Sequence, residues 1–158
     1  MKKILVLVFA GALLYACTGV GSDNSKENKN DSSLTGGPAG NPTYDPHRGE
    51  GKFTKVEVND KLDVTMADAG KKIYDVKCSA CHKLTEEKLV GPGWSGVTKK
   101  FTPEWIMNFI TNPDAMIDKD PKLQAQLEIC LVRMPNQNLS DDDARHIFEF
   151  MRKNDGVQ

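Results

Sequence analysis

The chain has 158 residues and a formal net charge of −1, a length that suits one ordinary domain with terminal extensions. The near balance of charges does not predict the strongly basic surface that proteins use to bind nucleic acid, so we expect no nucleic-acid partner. The four cysteines lie in different contexts, and their spacing is not that of a disulfide framework: Cys17, Cys78, Cys81 and Cys130.

Residues 1–17 have the pattern of a bacterial lipoprotein signal peptide. Lys2 and Lys3 give a basic start, and residues 4–14 are apolar apart from one glycine. This run is shorter than the roughly 20 residues of a membrane-spanning helix. The Leu-Tyr-Ala-Cys run that ends at Cys17 resembles a lipobox, which implies that Cys17 is lipidated and anchors the exported protein on the periplasmic side of a membrane. The alternative is an ordinary signal peptide that is removed together with Cys17.

Residues 18–50 are predicted to form a flexible polar tether. They are rich in Ser, Asn, Asp, Gly, Lys and Pro, and so few apolar side chains cannot offset the entropy of ordering the segment. A flexible chain of this length has a root-mean-square span of roughly 30 Å. Residues 51–62 differ, because Phe53, Val56 and Val58 are apolar, and they predict an extended leader packed on the domain that follows.

Residues 63–158 are predicted to be an all-α domain of about four helices. The first helix has apolar positions at helical spacing: Met66, Ala69, Ile73 and Val76. Gly70 and Tyr74 lie one turn apart on a neighbouring stripe. Thr102-Pro103 has the residues of a helix start, as do Asp120-Pro121 and Ser140 further along.

Cys78, Cys81 and His82 form a Cys-x-x-Cys-His run, the signature of covalent haem attachment. Two thiols at the end of a helix can form thioethers with two vinyl groups on one porphyrin edge, and the adjacent imidazole ligates the iron. A thioredoxin-like pair needs a βαβ setting and a zinc site needs a second Cys/His pair, and the sequence predicts neither. We therefore predict one covalently attached haem c.

Residues 63–154 resemble class I, mitochondrial-type cytochromes c. Gly70 and Tyr74 match the family's small-plus-aromatic pair on the first helix, whose partner on the last helix is Phe148 or Phe150. The resemblance implies a class I cytochrome c fold, with about four helices packed around the haem.

Two further motifs imply how the iron is ligated. Gly91-Pro92 matches the family loop in which the proline carbonyl accepts a hydrogen bond from the proximal histidine, here His82, and such a contact fixes the ring. Met134-Pro135 matches the loop of the sixth ligand, which implies that Met134 is the distal ligand. The alternative is a core role for Met134, and the other candidate sulfurs are Met107, Met116 and Met151.

Three side chains have two interpretations each. Trp94 and Trp105 are predicted to pack in the haem pocket, where an indole N–H could donate to a propionate, and core packing is the alternative for either one. Cys130 is predicted to be a small buried hydrophobe, with a redox or alternative-ligand role as the other interpretation.

The function that follows is electron transfer without catalysis. The resemblance implies a membrane-anchored monohaem cytochrome c that exchanges single electrons with a respiratory complex or a periplasmic terminal reductase or oxidase. It would have no small-molecule substrate. The alternatives are a peroxidase-like enzyme and a gas-binding sensor, both of which need a displaceable sixth ligand.

Overall fold

The computed structural model describes residues 43–158. The predicted signal peptide with Cys17, and residues 18–42 of the predicted tether, lie outside the described residues. The helices are α1 (Val64–Lys77), α2 (Val97–Lys100), α3 (Pro103–Thr111), α4 (Pro113–Ile117), α5 (Pro121–Cys130) and α6 (Asp141–Asn154). Within residues 43–158 there is no strand, and none of the helices is long and apolar enough to cross a membrane. The all-α prediction is confirmed for this part of the chain.

Side-chain caps begin the helices where the sequence predicts them. The Thr102 side chain accepts from the Trp105 N–H, and Ser140 forms a reciprocal capping box with Asp143. Such caps satisfy N–H groups that have no partner within the helix. The two short helices α2 and α4 were not predicted, because four or five residues are too few to show a helical period.

The buried face of α1 centres on Gly70 and Tyr74, the pair that the family resemblance places at the crossing with the last helix, and does not include Val76. Gly70 and Tyr74 are buried, whereas Val76 is 83% exposed. The reason is the crossing with α6, the main packing partner of α1. A Cβ at Gly70 would lie 2.0 Å from the His146 carbonyl oxygen, so only glycine allows the two backbones to approach so closely. Tyr74 then reaches the Phe150 ring, with centroids 5.4 Å apart, and the expected partner on α6 is Phe150.

Residues 43–62 form an ordered segment, here called the strap, that runs across α3 and α6. Tyr44 donates from its hydroxyl to Asp120 at 2.5 Å. Gly49 has a φ of 73°, in the left-handed region that favours glycine, where the strap crosses Met116 of α4. Residues 43–50, which the composition assigns to the end of the tether, thus have contacts with the helices. Two of these residues have buried partners on or beside the helices: Tyr44 binds Asp120, and the Arg48 carbonyl accepts from Asn108.

Polar side chains of the helices bind the strap along its whole length. The buried Asn108 amide donates to the carbonyls of Arg48 and Phe53, both at 3.0 Å, and its oxygen accepts from the Phe53 N–H at 2.9 Å. On α6, Arg152 donates to the Asn59 carbonyl at 2.6 Å and pairs with the fully buried Glu149 at 2.8 Å. Backbone groups that are withdrawn from water thus keep hydrogen-bond partners.

Candidate functional site

The end of α1 brings both thiols and the imidazole of the predicted haem site to one place. The Cys78 N–H donates to the Tyr74 carbonyl, and the N–H groups of Cys81 and His82 both donate to the Cys78 carbonyl, at 3.0 and 2.9 Å. The Tyr74 hydroxyl donates to the His82 carbonyl at 2.7 Å. A tight turn is therefore fixed directly onto the last turn of the helix, and it sets the spacing of the three side chains.

Both cysteines of this turn are free thiols. Cys78 is buried, and burial raises the pKa of its thiol to about 11. The protonated form therefore predominates at neutral pH. Neither sulfur is tied up in a disulfide, so both are available to form thioethers.

His82 is held in one orientation by the loop that follows it. Its Nδ1 lies 2.8 Å from the Pro92 carbonyl oxygen. Since a carbonyl can only accept, Nδ1 carries the proton and Nε2 carries the lone pair. Burial lowers the pKa of His82, with the Pro92 carbonyl opposing the shift, so the neutral ring that a metal requires is favoured. The contact implied by the Gly91-Pro92 motif is thus present in the structure.

Gly91 is required for that loop to lie against the imidazole. A Cβ at this position would lie 2.4 Å from Cε1 of His82 and 2.9 Å from its Nδ1. The Gly91 N–H donates to the Cys81 carbonyl at 2.9 Å, which fastens the loop to the thiol turn.

A cleft opens between this turn and the opposite wall formed by α5 and the loop after it. The larger of its two cavities has a volume of about 100 Å³. Both cavities are lined by Cys81, His82, Met134 and Pro135. The walls of the larger one otherwise come mainly from apolar side chains: Val90, Phe109, Ile117, Leu123, Leu127 and Val132. This arrangement fits a porphyrin: the thiols would bind its edge, the imidazole its iron, and the apolar walls its ring.

Met134 lies on the wall of both cavities and is half-buried. The three rival methionines are almost fully buried in the core and line neither cavity: Met107, Met116 and Met151. The Met116 sulfur is already engaged, since it accepts from the Glu50 N–H at 2.8 Å. Among the described residues, the cleft therefore offers one thioether opposite His82.

The two tryptophans have different positions. Trp94 lines the smaller cavity, with its ring centroid 5.7 Å from that of His82. Trp105 lines neither cavity: it stacks on Phe101 at 3.9 Å, and its indole N–H donates to Asp120 at 2.8 Å. These contacts correspond to the core-packing alternative for Trp105, whose indole N–H is bound to the buried Asp120 carboxylate.

Cys130 and several residues that the sequence did not single out complete the wall opposite His82. Cys130 is half-buried at the cleft, with its sulfur 3.2 Å from the Gln126 amide nitrogen. Gln126 was missed because α5 has little amphipathic contrast, and Leu123 is its one buried residue. Lys88 donates to the Ile129 carbonyl at 2.9 Å and so connects the two sides of the cleft.

Comparison with known proteins agrees with this geometry. A family model described as cytochrome c matches residues 67–155. A cytochrome c from Rhodothermus marinus is 31% identical to this chain, with a TM-score of 0.64, and the match covers 66% of this chain and 90% of that one. An engineered Rhodothermus marinus cytochrome c is 30% identical with a TM-score of 0.63 and the same coverage, 66% and 90%. None of the curated proteins gives a match.

Proposed function

The chain belongs to the cytochrome c family, and from that premise we propose that it is a membrane-anchored electron carrier with a His/Met-ligated haem. The cofactor is one covalently attached haem c, and electron transfer is the general activity of the family. The finer points of the proposal are the two iron ligands, the anchor and the partners.

Four residues are proposed to hold the haem. Cys78 and Cys81 form the thioethers, His82 is the proximal ligand and Met134 the distal ligand. The observation that carries the assignment is the fixed tautomer of His82, which lines the same two cavities as Met134. The haem supplies a one-electron Fe(III)/Fe(II) couple. A soft thioether favours Fe(II), so the reduction potential is higher than with two histidines.

The lining of the cleft supports a carrier rather than a peroxidase-like enzyme. General acid–base catalysis most often uses a histidine or a carboxylate within reach of the reacting group. Among the described residues that line the two cavities, there is no carboxylate and no histidine besides His82. The remaining polar lining comes from lysine, arginine, glutamine and cysteine side chains: Lys77, Arg133, Gln126, Gln137, Cys78, Cys81 and Cys130.

The anchor and its partners extend the proposal to the rest of the chain. We propose that Cys17 carries the lipid and that residues 18–42 serve as the tether, whose span would be roughly 25–30 Å. A domain held so close to the periplasmic surface of a membrane would meet a respiratory complex or a periplasmic terminal reductase or oxidase.

The ligand assignment is tested by replacing Met134 in the haem-loaded protein. We expect Met134→Ala to abolish the weak long-wavelength absorption band of the ferric, methionine-ligated form and to let CO bind rapidly to the reduced protein. Met107→Leu is the matched control, because Met107 is 3% exposed and away from the cleft. An unchanged spectrum in Met134→Ala would overturn the assignment, and rapid CO binding by the wild type would favour a sensor or an enzyme.

The anchor is tested separately by membrane fractionation. Cys17→Ser should release the haem-loaded protein from membranes, whereas Cys130→Ser should leave it bound. Membrane retention of the Cys17 variant would contradict the lipoprotein assignment.

A further inference from the structure

The carboxylate of Asp120 joins three parts of the chain. It is 1% exposed, and its two oxygens have separate partners. Oδ1 accepts from the N–H groups of Lys122 and Leu123, at 2.7 and 3.3 Å, and so begins α5. Oδ2 accepts from the Tyr44 hydroxyl of the strap at 2.5 Å and from the Trp105 indole of α3 at 2.8 Å. One buried side chain therefore sets where α5 starts relative to α3 and the strap.

The position of α5 matters because it forms the wall of the cleft opposite His82. Leu123, Gln126, Leu127 and Cys130 line the larger cavity, and Met134 follows four residues after the end of the helix. This helix has ten residues and packs mainly on the short α4. Helices of this length are marginal alone, so α5 depends on its N-terminal attachment more than the long, well-packed α6 does.

Tyr44 is well suited to hold that attachment from the strap side. Burial and the neighbouring Asp120 carboxylate raise the pKa of the Tyr44 hydroxyl, so it stays protonated and donates throughout the physiological range. The adjoining strap is fixed as well, since the Glu50 N–H binds the Met116 sulfur and Lys119 pairs with Glu50 at 3.0 Å. The strap thus reaches α4 and α5 at the N-terminal end of the cleft wall.

We propose that Asp120, held by Tyr44 of the strap, is a positioning residue that keeps the α5 wall closed and Met134 in place at the haem iron. The inference rests on the proposed function, because it concerns the same sixth ligand. Weakening the Asp120 attachment increases the fraction of molecules in which the wall is displaced. The apparent affinity for an external ligand rises in proportion to that fraction.

The experiment measures the binding of imidazole to the ferric, haem-loaded protein. Asp120→Ser retains a helix cap but cannot reach Tyr44 or Trp105, and Tyr44→Phe removes one hydroxyl only. We expect imidazole affinity to rise about tenfold in the first variant and about threefold in the second. The control is Glu104→Ala, which removes the carboxylate that accepts from the Val56 N–H at 2.7 Å and so loosens the strap away from α5.

The control separates a local effect from a general loss of stability. Glu104→Ala should lower the melting temperature about as much as Tyr44→Phe, with imidazole affinity changed less than about twofold. Equal gains of affinity in these two variants would overturn the proposal, as would unchanged affinity in both Asp120→Ser and Tyr44→Phe.

Repeating the Asp120→Ser substitution in the Met134→Ala variant distinguishes this proposal from the ligand assignment. In Met134→Ala the sixth position is already open, so Asp120→Ser should add no more than about a twofold gain of imidazole affinity. A full tenfold gain in that background would show that Asp120 acts without Met134 and would overturn the positioning role. The spectrum of Met134→Ala alone tests the ligand, and its outcome does not depend on Asp120.

Discussion

Replacing Gly91 by alanine should disturb the proximal side of the haem without removing any functional group. The new Cβ would lie 2.4 Å from Cε1 and 2.9 Å from Nδ1 of His82, so the loop must move away from the imidazole. Overpacking of this kind costs about 1–3 kcal/mol, and loss of the His82–Pro92 hydrogen bond adds about 1 kcal/mol. The sum of about 2–4 kcal/mol should lower the melting temperature of the haem-loaded protein by roughly 10 °C or more.

The same substitution should raise the reduction potential. A proximal imidazole that donates from Nδ1 to a carbonyl is a stronger electron donor, which stabilises Fe(III), and a displaced loop removes that support. The two readouts are thermal unfolding and a redox titration of the haem-loaded protein. Pro92→Ala is the control, because it keeps the backbone carbonyl that His82 contacts. The reasoning would be refuted if the alanine variant at Gly91 kept both its melting temperature and its potential.

Three further predictions concern the rest of the domain. Gly70→Ala places a Cβ 2.0 Å from the His146 carbonyl oxygen. It should lower the free energy of unfolding, measured by chemical denaturation, by about 3 kcal/mol or more. The control is Val76→Ala, at a position 83% exposed, which should change that free energy by less than about 0.5 kcal/mol. Lys88→Met removes an exposed hydrogen bond to an α5 carbonyl and should also cost less than about 0.5 kcal/mol by the same assay. The pKa of Tyr44 is raised on folding, so above about pH 10 the tyrosine of the unfolded chain ionises first and the free energy of unfolding falls as pH rises. Between about pH 9 and about pH 11, the free energy of unfolding should fall less in Tyr44→Phe than in the wild type. An equal fall in both proteins would contradict the assigned shift.

Helix starts and the haem-attachment motif could be predicted from the sequence because both depend on residues close together in the chain. Thr102 and Ser140 begin helices because their side chains satisfy N–H groups a few residues away, and that interaction needs no distant partner. The cytochrome c motif at Cys78 to His82 is equally local, since two thiols and an imidazole must meet one porphyrin edge. The all-α fold and the covalent haem c followed from these short-range features.

Contacts between distant residues decided what the pattern could not. Apolar spacing on α1 included Val76, which is exposed, because the buried face depends on how closely α6 can approach Gly70. The polar composition of the segment before Glu50 predicted a flexible tether. In the structure, Tyr44 of this segment is hydrogen-bonded to Asp120, which lies 76 positions further along the chain. The indole of Trp105 has the same buried partner, which removes it from the cleft.

The sequence by itself thus determined the cofactor and the helical class, since both arise from residues that are neighbours along the chain. Tertiary structure decided which surfaces are buried and which side chains face the cleft. Burial and side-chain direction depend on contacts between residues far apart in the chain, such as the close approach of backbones at a glycine and buried hydrogen bonds.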